Sequence, residues 1–426
     1  NIYNKCNELG GEVMYKKHVL ENGLTIIGEE IPYVKSISLG VWINAGSRIE
    51  DEEISGVSHF IEHMLFKGTR NRTSKQIASE IDNLGGQINA FTSKECTCYY
   101  VKLLDSHIDI GIDVLSDMIL NSKFNEDDLD KERSVIIEEL KMYEDSPEDL
   151  AYDLLTENIY KNDPLGMNII GTEESLNRLN REKLLDYFNK YYVPNNSVIA
   201  ISGNFNFDEI INKIEEKFKV WKKRDVNVDI KKAEFKSCFL TKNKDIEQVN
   251  LAMSLEAVPL ENDKEVYALA VINTVFGGSI SSRLFQKIRE EKGLVYSIYS
   301  SQSLYRKCGE LGIFASMSNE HLKEVYESII EEIKIMKKYY LTDQEIKESK
   351  EQLKGSYILG LESTSSRMMS IGRSLLLNNK VESTDDILKS IDNVDRETVK
   401  IVIDKIFNLD KLGVCIVGRD VEENKL

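Results

Sequence analysis

Phe124-Asn125-Glu126-Asp127-Asp128-Leu129 opens one long amphipathic helix, and Leu341-Thr342-Asp343-Gln344-Glu345-Ile346 opens another 217 positions later. Each follows a strand and a helix in the same order: Tyr99–Leu104 then about 107–121, and Leu311–Ser316 then about 321–338. The closing strands match as well. Val198-Ile199-Ala200-Ile201-Ser202-Gly203 and Gly413-Val414-Cys415-Ile416-Val417-Gly418 stand 215 apart. Nearer the front, Phe66-Lys67-Gly68-Thr69 and Phe276-Gly277-Gly278-Ser279 stand 210 apart. Offsets that drift while the order holds are what a duplication with small insertions leaves behind. The expected fold is α+β, with two homologous α/β-sandwich halves, each an antiparallel or mixed sheet with helices packed on it.

The first half runs from about 14 to 216 and the second from about 246 to 426. Residues 217–245 between them are rich in lysine, from Lys217 to Lys236, and read as a solvated linker. Tyr15–Leu24 reads as strand, turn at Asn22-Gly23, and strand. Residues 1–13 differ in character and read as a leader or an added extension, with Met14 as a candidate start.

A chain of 426 residues is long enough for two to four domains and a sizeable core. Its formal net charge is −17. That excess removes the long-range attraction to phosphate on which nucleic-acid binders depend, and disfavours anionic membrane surfaces. Apolar runs stop well short of the roughly 20 residues of a membrane span. No basic segment followed by an apolar run opens the chain, so a secretory signal is not expected. Six scattered cysteines without a C-x-x-C favour reduced thiols and a cytoplasmic location.

The chemistry is concentrated in Ser58-His59-Phe60-Ile61-Glu62-His63-Met64-Leu65-Phe66. On a helical wheel with His59 at 0°, His63 falls at about 40° and Glu62 at about −60°. Phe60, Ile61, Met64 and Leu65 fall between about 100° and 240°. One face is therefore core, and the other presents two imidazoles and a carboxylate. Imidazoles at i and i+4 can hold one zinc ion, and a neighbouring carboxylate can activate water. The pattern is H-x-x-E-H.

Catalytic zinc usually takes a third protein ligand. The helix near Glu126 offers Glu132, Glu138 and Glu139. With Leu129 at 0°, Ile136 and Leu140 mark the buried stripe and Glu138 falls at about 180°, toward water. Glu139, at about −80°, and Glu132, at about −60°, lie on the border of the stripe. Glu139 is the expected third ligand and Glu132 an assisting carboxylate. The repeat supplies a control. At the offset of 210, His59, Glu62 and His63 correspond to Leu269, Ile272 and Asn273; at 217, Glu132 and Glu139 correspond to Ser349 and Ser356. The second half keeps the scaffold and lacks the chemistry. No G-x-S-x-G occurs, and His18, His107 and His321 have no nucleophile pattern near them.

His59-Phe60-Ile61-Glu62-His63 followed by Glu139 resembles the pitrilysin and mitochondrial processing peptidase family of zinc peptidases, and most of all its bacterial processing-peptidase-like members. Val41–Arg48, Phe66–Thr69, Gly86–Thr92 and Gly277–Leu284 carry the same likeness, which runs from Met14 nearly to the end. The resemblance implies one zinc per chain on His59, His63 and Glu139, with Glu62 as general base and Glu132 as the family's additional helix glutamate. It implies that Gln87, Ile88, Asn89, Ala90, Phe91 and Thr92 form an edge strand that pairs with the substrate backbone. It also implies that Arg289 and Tyr296 hold the substrate and stabilise the oxyanion. The expected protein is a clamshell-like zinc endopeptidase, working as a homodimer on unfolded or presequence-like peptides inside a closed chamber. If the acidic residues line that chamber, cationic peptides are favoured. A non-catalytic partner subunit and a metal-dependent peptide-binding protein are the alternatives on the same residues.

Overall fold

The computed structural model describes residues 15–421; the extension 1–13 and Met14 lie outside the described residues. In chain order the elements begin with β1 (Lys16–Val19), β2 (Thr25–Glu30), β3 (Ser36–Ile43), α1 (Val57–Leu65) and α2 (Ser74–Asp82). Next come β4 (Gln87–Thr92), β5 (Thr97–Leu104), α3 (Ile108–Asn121), α4 (Glu126–Asp145) and α5 (Pro147–Ile159). They continue with α6 (Glu173–Arg178), α7 (Arg181–Tyr191), β6 (Ser197–Gly203), α8 (Phe207–Phe218), β7 (Cys238–Asn243) and β8 (Gln248–Ala257). After α9 (Asp263–Phe276) a π-helical stretch, Phe285–Glu291, leads to β9 (Ser297–Leu304) and β10 (Gly309–Ser318). The chain closes with α10 (Leu322–Tyr339), α11 (Asp343–Gly360), α12 (Thr364–Asn378), α13 (Thr384–Asp392), α14 (Arg396–Ile406) and β11 (Leu412–Gly418).

From β2 to β6 the first half runs in the same order as β7 to β11 in the second, with the π-helical stretch at the place of α2; β1 and α8 have no equivalent among the described residues. Two mixed sheets result: β1-β2-β6-β3-β5-β4, and β7-β11-β8-β10-β9. The turn at Asn22-Gly23 joins β1 to β2 antiparallel, with Gly23 at φ +88°. The compact units do not follow the halves, however. One comprises residues 15–140, 168–229 and 358–385, and the other 141–167, 230–357 and 386–421. Each unit thus takes one helix from the other half of the sequence: α12 goes to the first and α5 to the second.

The reason is that a sheet has two faces to cover. On β3, Ile37, Leu39, Val41 and Ile43 point into a core shared with Phe60, Leu115 and Ile136. The alternate residues Ser38, Gly40 and Trp42 face α12. Ser38 Oγ lies 3.0 Å from Thr364 Oγ1, and Glu29 pairs with Arg367. Gly372 lets the helix come close, since a Cβ there would sit 2.2 Å from the Trp42 indole nitrogen. In the second unit, Ala151, Leu155 and Ile159 of α5 pack with Ala252, Phe314, Cys415 and Val417. Amphipathic spacing shows that these helices bury a face, but not which sheet they bury it on.

The segment 217–245 is also more than a solvated linker. Trp221, Ala233 and Phe235 are buried, and the Trp221 indole donates to the Tyr192 carbonyl at 3.0 Å. Its last residues enter β7, which pairs parallel with β11. The apolar residues set among the lysines anchor the backbone, while the lysines stay outside.

At one corner of the first sheet, Arg48 and Glu95 form an ion pair of 2.7 Å with both side chains about 3% exposed. It joins the loop after β3 to the β4–β5 turn. Removing one partner takes the ion pair from a buried charge, so Glu95→Ala should cost about 3–5 kcal/mol. Urea unfolding of the variant checks this, and a loss below about 1 kcal/mol would contradict the assigned role.

Candidate active site

α1 is held at its start by a buried acid. Glu50 is 2% exposed, and its carboxylate accepts the N–H groups of Gly56 (2.7 Å) and Ser58 (2.9 Å). Those donors lie at the positive end of the helix. Gly56 has φ +88°, and a Cβ there would meet the Ile170 carbonyl oxygen at 2.3 Å, so the turn into α1 requires glycine. Phe60, Ile61, Met64 and Leu65 then go fully into the core. His59, Glu62 and His63 are left on the opposite side, as the wheel requires.

α4 runs past this face. Leu129, Ile136 and Leu140 are buried, Glu138 is exposed, Glu132 is buried and Glu139 is half-buried. One Glu139 oxygen, Oε2, stands 3.4 Å from His63 Nε2 and 3.9 Å from His59 Nε2. Among the described residues, His59, His63 and Glu139 are the one group of three whose ligand atoms lie within 4.8 Å of one another. Two imidazole nitrogens and a carboxylate oxygen are a donor set that suits tetrahedral zinc. His63 Nδ1 donates to Glu132 Oε2 at 3.1 Å, which turns its Nε2 toward Glu139. The other Glu132 oxygen is held by Lys67 Nζ at 2.5 Å.

The proton affinities follow from these placements. Burial pushes the His59 imidazole down to about 4, helped by the neighbouring His63 and opposed by Glu139. Its nitrogen lone pair is therefore free near neutral pH. Burial would also lower His63, but hydrogen bonds to Glu139 and Glu132 outweigh it and raise the group. The bond to His63 lowers Glu139 in turn. Glu62 is raised by burial and carries a hydrogen bond from Thr92 Oγ1 at 2.5 Å.

Thr92 ends β4, the edge strand of its sheet, which pairs antiparallel with β5 from Gln87↔Lys102 to Thr92↔Thr97. Gln87–Thr92 is therefore a strand with one unpaired side among the described residues, and its end is tied to Glu62. Ile88 and Ala90 pack toward the core; Gln87 and Asn89 are exposed. Arg289 and Tyr296 belong to the other unit. The Arg289 guanidinium lies 4.7 Å from the Phe285 ring centre, within the π-helical stretch. Tyr296 precedes β9 by one residue and is 75% exposed.

The second half occupies the corresponding positions differently. Leu269 and Ile272 are buried on α9, and Asn273 accepts a hydrogen bond from Ser300 Oγ at 2.7 Å. Three contributors escaped the sequence reading: Thr92 as partner of Glu62, Lys67 as partner of Glu132, and Glu50 as anchor of α1. Lys67 follows His63 by four positions, a spacing that could have exposed it. The Thr92–Glu62 contact spans thirty positions and has no local signal.

Residues 25–173 match the family model described as insulinase (peptidase family M16), and residues 178–353 match that of the peptidase M16 inactive domain. The uncharacterized zinc protease YmxG of Bacillus subtilis is 42% identical over 397 residues, covering 93% of this chain and 97% of that one. An uncharacterized zinc protease of Rickettsia felis is 34% identical, covering 94% and 97%. The crystal structure of a protease from Helicobacter pylori aligns with TM-score 0.90 at 21% identity, over 95% of this chain and 99% of that one. Fold, donor cluster and relatives define a peptidase-like protein of the zinc-protease class. The chain belongs to peptidase family M16, the pitrilysin-like family.

Glu50 gives a pH test of the anchor on α1. Burial pushes its carboxyl up to about 7. An acid raised on folding binds its proton more tightly in the native state, so stability falls as pH rises from about 4.5 to 7. Glu50→Gln removes that slope. Relative to wild type, the variant should gain up to about 3 kcal/mol between pH 4.5 and 8, measured by urea unfolding across pH. A pH-independent difference would count against the buried acid.

Proposed function

We propose that this chain is a zinc metalloendopeptidase that cleaves unfolded or presequence-like peptides. The observation that carries the reading is the His59, His63 and Glu139 donor set with Glu62 beside it, hydrogen-bonded to the end of an edge strand. One zinc per chain would be held by those three residues, and when bound it supplies Lewis-acid polarisation of the scissile carbonyl and lowers the pKa of water. A substrate strand added to the free side of β4 brings its backbone past Glu62. Thr92 holds the Glu62 carboxylate by one oxygen, leaving the other to take a proton from the attacking water. The raised affinity of Glu62 for a proton suits its return to the leaving amine. Glu132 and Lys67 keep the His63 ring oriented throughout. By family likeness, Arg289 and Tyr296 hold the peptide and meet the oxyanion.

The working form in this reading is a homodimer enclosing a chamber, because one half of each chain lacks the donors. The net charge of −17 favours cationic peptides at long range. No described helix is long and apolar enough to cross a membrane. Cys96, Cys98, Cys238, Cys308 and Cys415 form no disulfide among the described residues, in keeping with the reducing cytoplasm.

Glu62→Gln separates turnover from binding. The variant should keep about one zinc per chain by metal analysis and lose cleavage of a mixed peptide pool by at least about a hundredfold. Retained turnover would remove the mechanism. Absence of cleavage by the zinc-loaded wild type would favour a binding protein or a non-catalytic subunit. For the assembly, light scattering should return the mass of two chains; a monomer with full activity would exclude the dimer.

A further inference from the structure

A groove in the first unit, distinct from the donor cluster, opens beside β4. Its volume is about 680 Å³, and its wall includes Gln87 of β4, Tyr100 and Lys102 of β5, and Ser366, Ser370 and Arg373 of α12. The α12 residues recur at i, i+4 and i+7, so they form one stripe. That stripe lies beside Met368, Ile371, Gly372 and Leu375, which are buried. The wall holds two cations and no carboxylate. Neither Lys102 nor Arg373 has an ion pair among the described residues, whereas Arg367 on the same helix is taken by Glu29.

Strand geometry connects this groove to a bound peptide. Along β4, Ile88, Ala90 and Thr92 point to the side of α1 and Glu62; Gln87 and Asn89 point to the side of α12. A peptide paired with β4 alternates in the same way. Its residue opposite Gln87 stands two strand spacings from Lys102, about 10 Å. A lysine and a glutamate side chain together span roughly that distance. Gln87 and Thr92 are five residues apart, about 17 Å along the strand. A residue beside Gln87 therefore lies about five positions from the bond at Glu62.

We infer that the groove is a subsite for a carboxylate side chain carried by the substrate about five residues from the cleaved bond. Lys102 and Arg373 would pair with it, and the hydroxyls of Ser366 and Ser370 would complete its hydrogen bonds. The inference rests on the peptidase reading and on substrate pairing at β4. It is compatible with an overall preference for basic peptides, because the protein's net field acts at a distance and this pair of cations acts at contact.

The test uses reference peptides from a mixed pool, each remade with Glu or Gln at every position three to seven residues from the cut, or along its length where no cut occurs. At low salt, wild type should favour Glu over Gln about fivefold in kcat/KM at one position near the fifth. In the double variant Lys102→Gln/Arg373→Gln that ratio should fall to about 1, and in Lys102→Glu/Arg373→Glu it should invert. Equal rates at every position, or a preference untouched by the double variant, would overturn the subsite. Failure of every peptide to be cleaved would instead overturn the peptidase reading. In that case anisotropy binding of the same peptides still reads the groove, with the same ratios expected.

Discussion

Everything at the site depends on how α1 is buried. A helix of nine residues with five apolar side chains sunk in the core, Val57 among them, has no rotational freedom about its axis. Phe60, Ile61, Met64 and Leu65 set that rotation, and it dictates where His59, Glu62 and His63 emerge. Glu50 and Gly56 fix the same helix at its N-terminal end. α4 obeys the same rule, since burying Leu129, Ile136 and Leu140 brings Glu139 to the two imidazoles. The hydrophobic effect does the positioning, and the polar bonds among Glu132, Lys67 and His63 refine it.

This explains why so much was legible in the sequence. The rotation of a helix can be read from the spacing of its apolar residues, so the wheel separated Glu139 from Glu138 and both from the core. The strand and helix order of the two halves could be read because a duplication repeats its own punctuation. What the sequence did not show was partnership across long separations. Nothing near Thr92 announces Glu62, and nothing in the spacing of α5 or α12 says which sheet each will cover. The linker assignment failed for a related reason. Its lysines dominate the composition, but Trp221 and Phe235 decide where the backbone lies.

The two halves show how a scaffold can be kept while its chemistry is dropped. Where the first half has His59 and Glu62, the second has Leu269 and Ile272, both fully buried on α9. Both units also tie the segment before the edge hairpin to the helix that follows it. Arg72 pairs with Asp113 and Asp117 of α3, and Arg283 and Lys287 pair with Glu332 of α10. Each unit thus keeps ion pairs at this place, whereas among the described residues only the first has the donor set.

The exchange of α5 and α12 bears on how such a chain could have arisen. Taken alone, each half would carry one helix without the sheet it covers and one sheet face without its helix. Two copies meeting could have donated those arms to one another, as swapped dimers do. Joining the two copies end to end would then have made the swap internal. A fragment ending near residue 216 would lose α12 from over Trp42 and the Arg367 partner of Glu29, and would leave α5 without the sheet it packs on. A cut near residue 216 separates α5 and α12 from the sheets on which they pack.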